Sequence, residues 1–109
     1  MRTLRFIVEG QVMKQDPDCD FSNLVPGTKD YVRVTFTFSN EWRGYKRVAS
    51  FWSMLGKEYM PQELDFGCSC MVPAEALTKR AFKVQVIGIN NGMKITTNKV
   101  VVKQNGGKV

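Results

Sequence analysis

Residues 31–39 read YVRVTFTFS, and this stretch decides the fold class. Val32, Val34, Phe36 and Phe38 fall on one side of an extended chain, while Tyr31, Arg33, Thr35 and Thr37 fall on the other. A period of two built from β-branched and aromatic residues is the pattern of a strand buried on one face. The same alternation recurs on both sides of it. Upstream, Leu4, Phe6 and Val8 alternate with Arg5, Ile7 and Glu9 as far as a break at Gly10. Downstream, Phe82, Val84 and Val86 alternate with Lys83, Gln85 and Ile87. Asn91-Gly92 then marks a two-residue hairpin, because a type I′ turn needs positive φ at both central positions.

The strand expected after that turn, residues 93–103, carries Val100 and Val102 on one face and Lys99, Val101 and Lys103 on the other. A further strand is expected over residues 45–54, entered through the turn NEWRG, with Trp52 in the core. Shorter strands are expected near 57–60 and 67–72. Only PAEALTK, residues 73–79, reads as helical, with Pro73 at a first-turn position and good helix formers behind it, and one or two turns is its limit. Residues 16–29, DPDCDFSNLVPGTK, read as a long polar connection. About seven short strands at this spacing predict an all-β chain, an antiparallel β-sandwich with at most one short helix. Residues 1–104 form its single domain, and 105–109 are expected to be a flexible C-terminal tail.

The chain has 109 residues, 43% of them hydrophobic, enough for one core and too few for two. Sixteen basic residues against ten acidic ones give a net charge of +6. The excess is localised: residues 1–66 balance to zero, and everything beyond carries one acidic side chain, Glu75, against seven basic ones. Histidine is absent, so imidazole-based catalysis and His-ligated zinc are excluded. No Gly-rich phosphate loop is present, and Glu58 and Glu63 are separated by Pro61, so the chain is not expected to be an enzyme. No run of about eighteen apolar residues occurs, and the opening MRTLRFIVEG lacks a signal-peptide core, so a cytosolic protein that does not engage membranes is expected.

Three cysteines invite two readings. Cys68 and Cys70 flank Ser69 on one strand and share a face, roughly 7 Å apart. If the acidic loop bearing Cys19 folds over them, three thiolates with Asp18 or Asp20 would make a tetrahedral site for one structural zinc ion. The other reading is three free thiols acting as small hydrophobes. The Asp16, Asp18, Asp20 spacing starts like a calcium loop, but Phe21 replaces the turn glycine and Gly27 the closing glutamate.

Two groups are candidates for partner binding. Lys79, Arg80, Lys83, Lys94, Lys99 and Lys103 would form one positive surface suited to an acidic protein or, secondarily, nucleic acid. Edge-strand protection is the competing role for such lysines. No aromatic interleaves them in sequence, which counts against single-strand binding. Trp42, beside Arg43 at a turn, is either an exposed interface anchor or a residue folded back to cap the sandwich.

In order, LRFIVEGQ, DYVRVTFTFSNEWRG, CMVPAE, FKVQVIG and ITTNKV resemble the immunoglobulin-like N-terminal domain of phage baseplate-upper and tail-fibre proteins. The matching positions include Asp30, Tyr31, Phe36, Phe38, Ser39, Glu41, Trp42, Gly44, Cys70, Pro73, Glu75 and Gly88. Cys19 and Cys68 lie outside the pattern. The resemblance implies an immunoglobulin-like sandwich encoded by a phage. Such a domain standing alone resembles a co-opted binding module. It implies an intracellular inhibitor of host defence in the infected bacterial cytoplasm, an anti-CRISPR protein sterically blocking a type II CRISPR effector nuclease. The alternative is a small baseplate or tail adaptor of the virion. A charge of +6 speaks against DNA mimicry.

Overall fold

A computed structural model describes residues 1–105. Its strands are β1 (Arg2–Glu9), β2 (Val12–Gln15), β3 (Val32–Phe38), β4 (Lys46–Ser53), β5 (Gln62–Glu63), β6 (Ser69–Met71), β7 (Ala81–Asn90), β8 (Met93–Thr96) and β9 (Val100–Lys103). They form two sheets packed as a β-sandwich. Sheet one has the order β2-β1-β3-β6, and sheet two the order β5-β4-β7-β8, with β9 also on β7. The expected helix is a single 3₁₀ turn at Ala76–Thr78, and a second such turn, Asn40–Trp42, stands in NEWRG. No helix among the described residues is long and apolar enough to cross a membrane.

Alternation places the core as the sequence implies. Leu4, Phe6 and Val8 of β1, Val32, Val34 and Phe36 of β3, and Phe82, Val84 and Val86 of β7 are all buried in one cluster. The strand alternation read for β4 has the opposite parity: Ala49 and Phe51 point inward, and Trp52 lies on the outer face.

Sheet one departs from the antiparallel expectation at its centre, where β1 and β3 run parallel. The cause is local. Gly10, at φ 59, opens a two-residue turn that reverses the chain into β2 on one side of β1. The connection 16–31 then passes beneath the start of β1 to its other side. The Arg2 guanidinium fixes that passage by donating to the carbonyls of Asp20, Ser22 and Asn23.

The last strand is broken in two. At the break the Thr97 hydroxyl accepts the Val86 N–H at 3.0 Å, standing in for a ladder carbonyl. Asn98 turns away to sheet one, accepting the Met13 N–H at 2.6 Å and donating to the Met13 carbonyl at 3.0 Å. An amide side chain thus imitates a neighbouring strand and joins β2 to the β8–β9 edge, closing one side of the sandwich.

The motif residues explain themselves here. Trp42 is fully buried, and its indole N–H donates to the Gly10 carbonyl at 2.7 Å. Its ring lies on Gly88, where an added Cβ would come within 2.8 Å of the indole, so only glycine fits. Ser39 accepts the Gly10 N–H through its hydroxyl at 3.0 Å. Arg47 lies over the Phe38 ring at 4.3 Å and donates to the carbonyls of Trp42 and Gly67. Of the expected tail, Asn105 donates its N–H to the Leu24 carbonyl, and residues 106–109 lie outside the described residues.

Candidate functional site

Register decides what stands on the outer face of sheet two. Lys46, Val48, Ser50 and Trp52 of β4 pair with Ile89, Ile87, Gln85 and Lys83 of β7. On the far side of β7, Ile89 pairs with Lys94, Lys83 with Val101, and Ala81 with Lys103. Because side chains alternate, all of these share one face. Val48, Ile87, Ile89 and Val101 form its apolar middle, with Ile89 54% exposed. Lys46, Lys83, Lys94, Lys99 and Lys103 surround it, with Glu63 beside Val48 and Glu58 beside Trp52 on the same face.

Lys99 stands at the break before β9 and reaches back across the sheet, its ammonium 3.7 Å from the centre of the Trp52 ring. A cation this close to an indole face is held electrostatically by the ring quadrupole. Lys46 faces Glu63 at 3.7 Å, with both side chains well exposed. Among the described residues none of Lys83, Lys94, Lys99 and Lys103 forms an ion pair, so no carboxylate there neutralises their charge.

The structure therefore brings four of the six expected basic residues together. Lys79 and Arg80 stand apart from these, beside the 3₁₀ turn that precedes β7, where they line a cavity at the end of the sandwich. Trp42 is corrected from candidate anchor to core, since Gly88 and the Gly10 carbonyl give both its ring and its N–H an internal partner. Arg43 is exposed and lines a hollow of about 310 Å³ with Phe36, Phe38, Arg47 and Cys68. Burial lowers the Arg47 guanidinium from its ordinary value, with the neighbouring Cys68 sulfur opposing that shift. Trp52, expected in the core, is instead the aromatic of the basic face. The signal that could have identified it was the run Ala49-Ser50-Phe51-Trp52, in which only one of two adjacent aromatics can point inward.

The thiols do not converge. Cys19 sits beside β1, its sulfur accepting the Arg5 N–H at 3.3 Å. Cys70 is buried on β6, with β1 and β3 between it and Cys19. Neighbouring strands lie about 4.8 Å apart, so Cys19 is several strand spacings from the other two. Among the described residues no group of three or more Cys, Asp or Glu side chains is placed to hold a metal ion. Burial pushes the Cys70 thiol up to about 12, which keeps it protonated. Asp18 is exposed. Asp20 accepts the Ser22 N–H and hydroxyl, which holds its carboxyl below the ordinary value. These carboxylates shape their own loop.

The residues that carry the resemblance, Trp42, Ser39, Gly44 and Gly88, are turn and core residues, whereas the outer face of sheet two is built from other positions. Comparison with protein-family models, with curated proteins and with solved structures finds no match to this chain.

Proposed function

We propose that the protein is a non-catalytic binding module that docks on an acidic protein surface through the outer face of sheet two. The observation that carries this reading is the set of lysines without a carboxylate partner among the described residues, Lys83, Lys94, Lys99 and Lys103, around a partly exposed apolar stripe. Lysines of one sign steer an acidic partner and set its register, while Ile87, Ile89 and Val48 supply area to bury. The absence of histidine agrees with a role without imidazole catalysis.

The phage resemblance directs the choice of partner. A host defence protein in the infected cell is the first to test, with a type II CRISPR effector nuclease blocked sterically as the leading candidate. A pull-down from host lysate tests this. Recovery of the nuclease by the wild type, and its loss with K83E/K99E/K103E, is expected. Incorporation of the protein into purified virions would overturn the inhibitor reading in favour of a baseplate or tail adaptor.

Trp52 among the lysines favours a second reading, nucleic-acid binding, more than the sequence order did. Against it, the Trp52 ring is already covered by Lys99, so no free stacking platform is offered. DNA binding that weakens steeply with salt would support this second reading.

A further inference from the structure

The end of the sandwich between the β4–β5 connection and the start of β7 holds a cavity of about 630 Å³. Its size falls within the range of small-molecule sites. Ser53, Met54, Leu55, Tyr59, Thr78 and Ala81 make its walls, and Lys57, Lys79, Arg80 and Glu75 stand around them. One wall is held open by a tight turn. The Ser53 hydroxyl accepts the Lys57 N–H at 3.0 Å, the Ser53 N–H donates to the Lys57 carbonyl at 2.8 Å, and Gly56 adopts φ 95. That turn projects Met54 and Leu55, with Leu55 90% exposed. A rigid turn that presents a large aliphatic side chain to water beside an apolar cavity is the arrangement of a binding site rather than of a surface in need of solubility.

The chemistry of the occupant follows from the walls. The apolar lining and the methylene stems of Lys57 and Lys79 suit an aliphatic body. Lys57 and Lys79 against the Glu75 carboxylate leave the mouth positive, so the polar end of the ligand carries negative charge. Burial first, and the Glu75 carboxylate second, raise the Tyr59 phenol above its ordinary value, so Tyr59 stays neutral and belongs to the apolar wall. The cavity is larger than one inserted side chain fills, which favours a free single-chain ligand over a residue of a docked protein.

We infer that this cavity binds a medium-chain aliphatic carboxylate, its chain against Met54, Leu55, Tyr59 and Ala81 and its head between Lys57 and Lys79. The inference rests on the cavity alone and stands whether or not the outer face of sheet two docks a protein.

The test is a titration of the intact protein with decanoate below its micellar concentration, followed by backbone amide shifts. Saturable binding is expected, with shifts centred on residues 53–59 and 75–81. Decyltrimethylammonium, with the same chain and opposite charge, should bind about tenfold more weakly or less. Leu55→Asp and Lys57→Glu alter exposed side chains, so each should keep the wild-type amide spectrum elsewhere and weaken decanoate by about tenfold. Equal affinity for the two amphiphiles would overturn the inference. So would shifts scattered away from the cavity, or adsorption to anionic phosphatidylglycerol vesicles without saturable binding of monomeric decanoate.

Discussion

The two outer faces of the sandwich are built by the same alternation and end up chemically opposite. On sheet one the outward residues include Thr3, Arg5, Ile7, Glu9, Lys14, Arg33, Thr35, Thr37 and Ser69, and two of the three cations have a carboxylate within reach. Arg5 faces Asp16 at 3.4 Å, and Arg33 faces Asp65 at 3.8 Å while donating to the Ser69 hydroxyl at 3.0 Å. On sheet two, lysines surround an apolar stripe, and among the described residues only Lys46 has a carboxylate within reach. A face whose charges are neutralised within itself has little left to offer a partner. A face with five lysines against Glu58 and Glu63 keeps both a net positive field and the exposed apolar area of Ile89 for one. The neutral first part of the chain and its +6 remainder are therefore largely the two faces seen as sequence, since strands after residue 67 contribute mainly to sheet two.

The two tryptophans break or sharpen this contrast most strongly. Trp42→Ala removes a fully buried indole from beneath Gly88 and should cost about 3–5 kcal/mol of stability, measured by chemical denaturation. Trp52→Ala, on the outer face, should leave stability nearly intact and weaken partner binding by about tenfold or more, as loss of an interface tryptophan does. If Trp52→Ala proved the more destabilising of the two, the division into core and docking face would be wrong.

The seam between the faces is the next test. Asn98→Ala strips the Met13 N–H and carbonyl of their partner and should cost about 1–3 kcal/mol, with amide exchange accelerated along β2. An unchanged exchange rate at Met13 would mean that the sheets are held together elsewhere.

Cys70 supplies a pH dependence. Its thiol has a folded value near 12 and an ordinary value of 9.0. Above about pH 9 the unfolded chain releases that proton while the folded chain keeps it, so stability should fall as pH rises from there. Cys70→Ala should flatten this decline, and Cys19 and Cys68 should react with a thiol reagent well before Cys70. The smallest effect belongs to sheet one. Asp65→Asn breaks the half-exposed pair with Arg33 and should change stability by about 0–1 kcal/mol and leave partner binding untouched.

What the sequence made legible was period and turn chemistry. β1, β3 and β7 announce themselves through alternation, and Asn91-Gly92 forms the expected two-residue turn, with φ of 47 and 81. What stayed hidden was decided by contacts distant in sequence. β2 is too short and polar to announce itself, and it exists because β1 pairs with it on one side and Asn98 ties its other edge. The run ITTNKV reads as one strand, because nothing local says that Thr97 will replace a carbonyl with its hydroxyl. Trp42 sits in a turn, where its burial depends on the missing side chain of Gly88, 46 positions away. The parity of Trp52 is settled only by the register of β4 on β7.

Four lysines of the basic face were legible, but Lys46, the apolar centre and the tryptophan were not, and Lys79 and Arg80 stand elsewhere. The cavity at the sandwich end had no local signal at all, since its walls come from two segments that meet only in the fold.

The central claim is that the outer face of sheet two, and not that of sheet one, binds the partner. It is tested most directly by measuring the partner retained from host lysate by three proteins of equal stability: wild type, K83E/K99E/K103E, and R5E/K14E/T37E. Wild type and the sheet-one variant should retain the same protein to within about twofold, and the sheet-two variant should lose it by about a hundredfold, three opposed charges each costing several-fold. Retention by the sheet-two variant together with loss by the sheet-one variant would contradict the account.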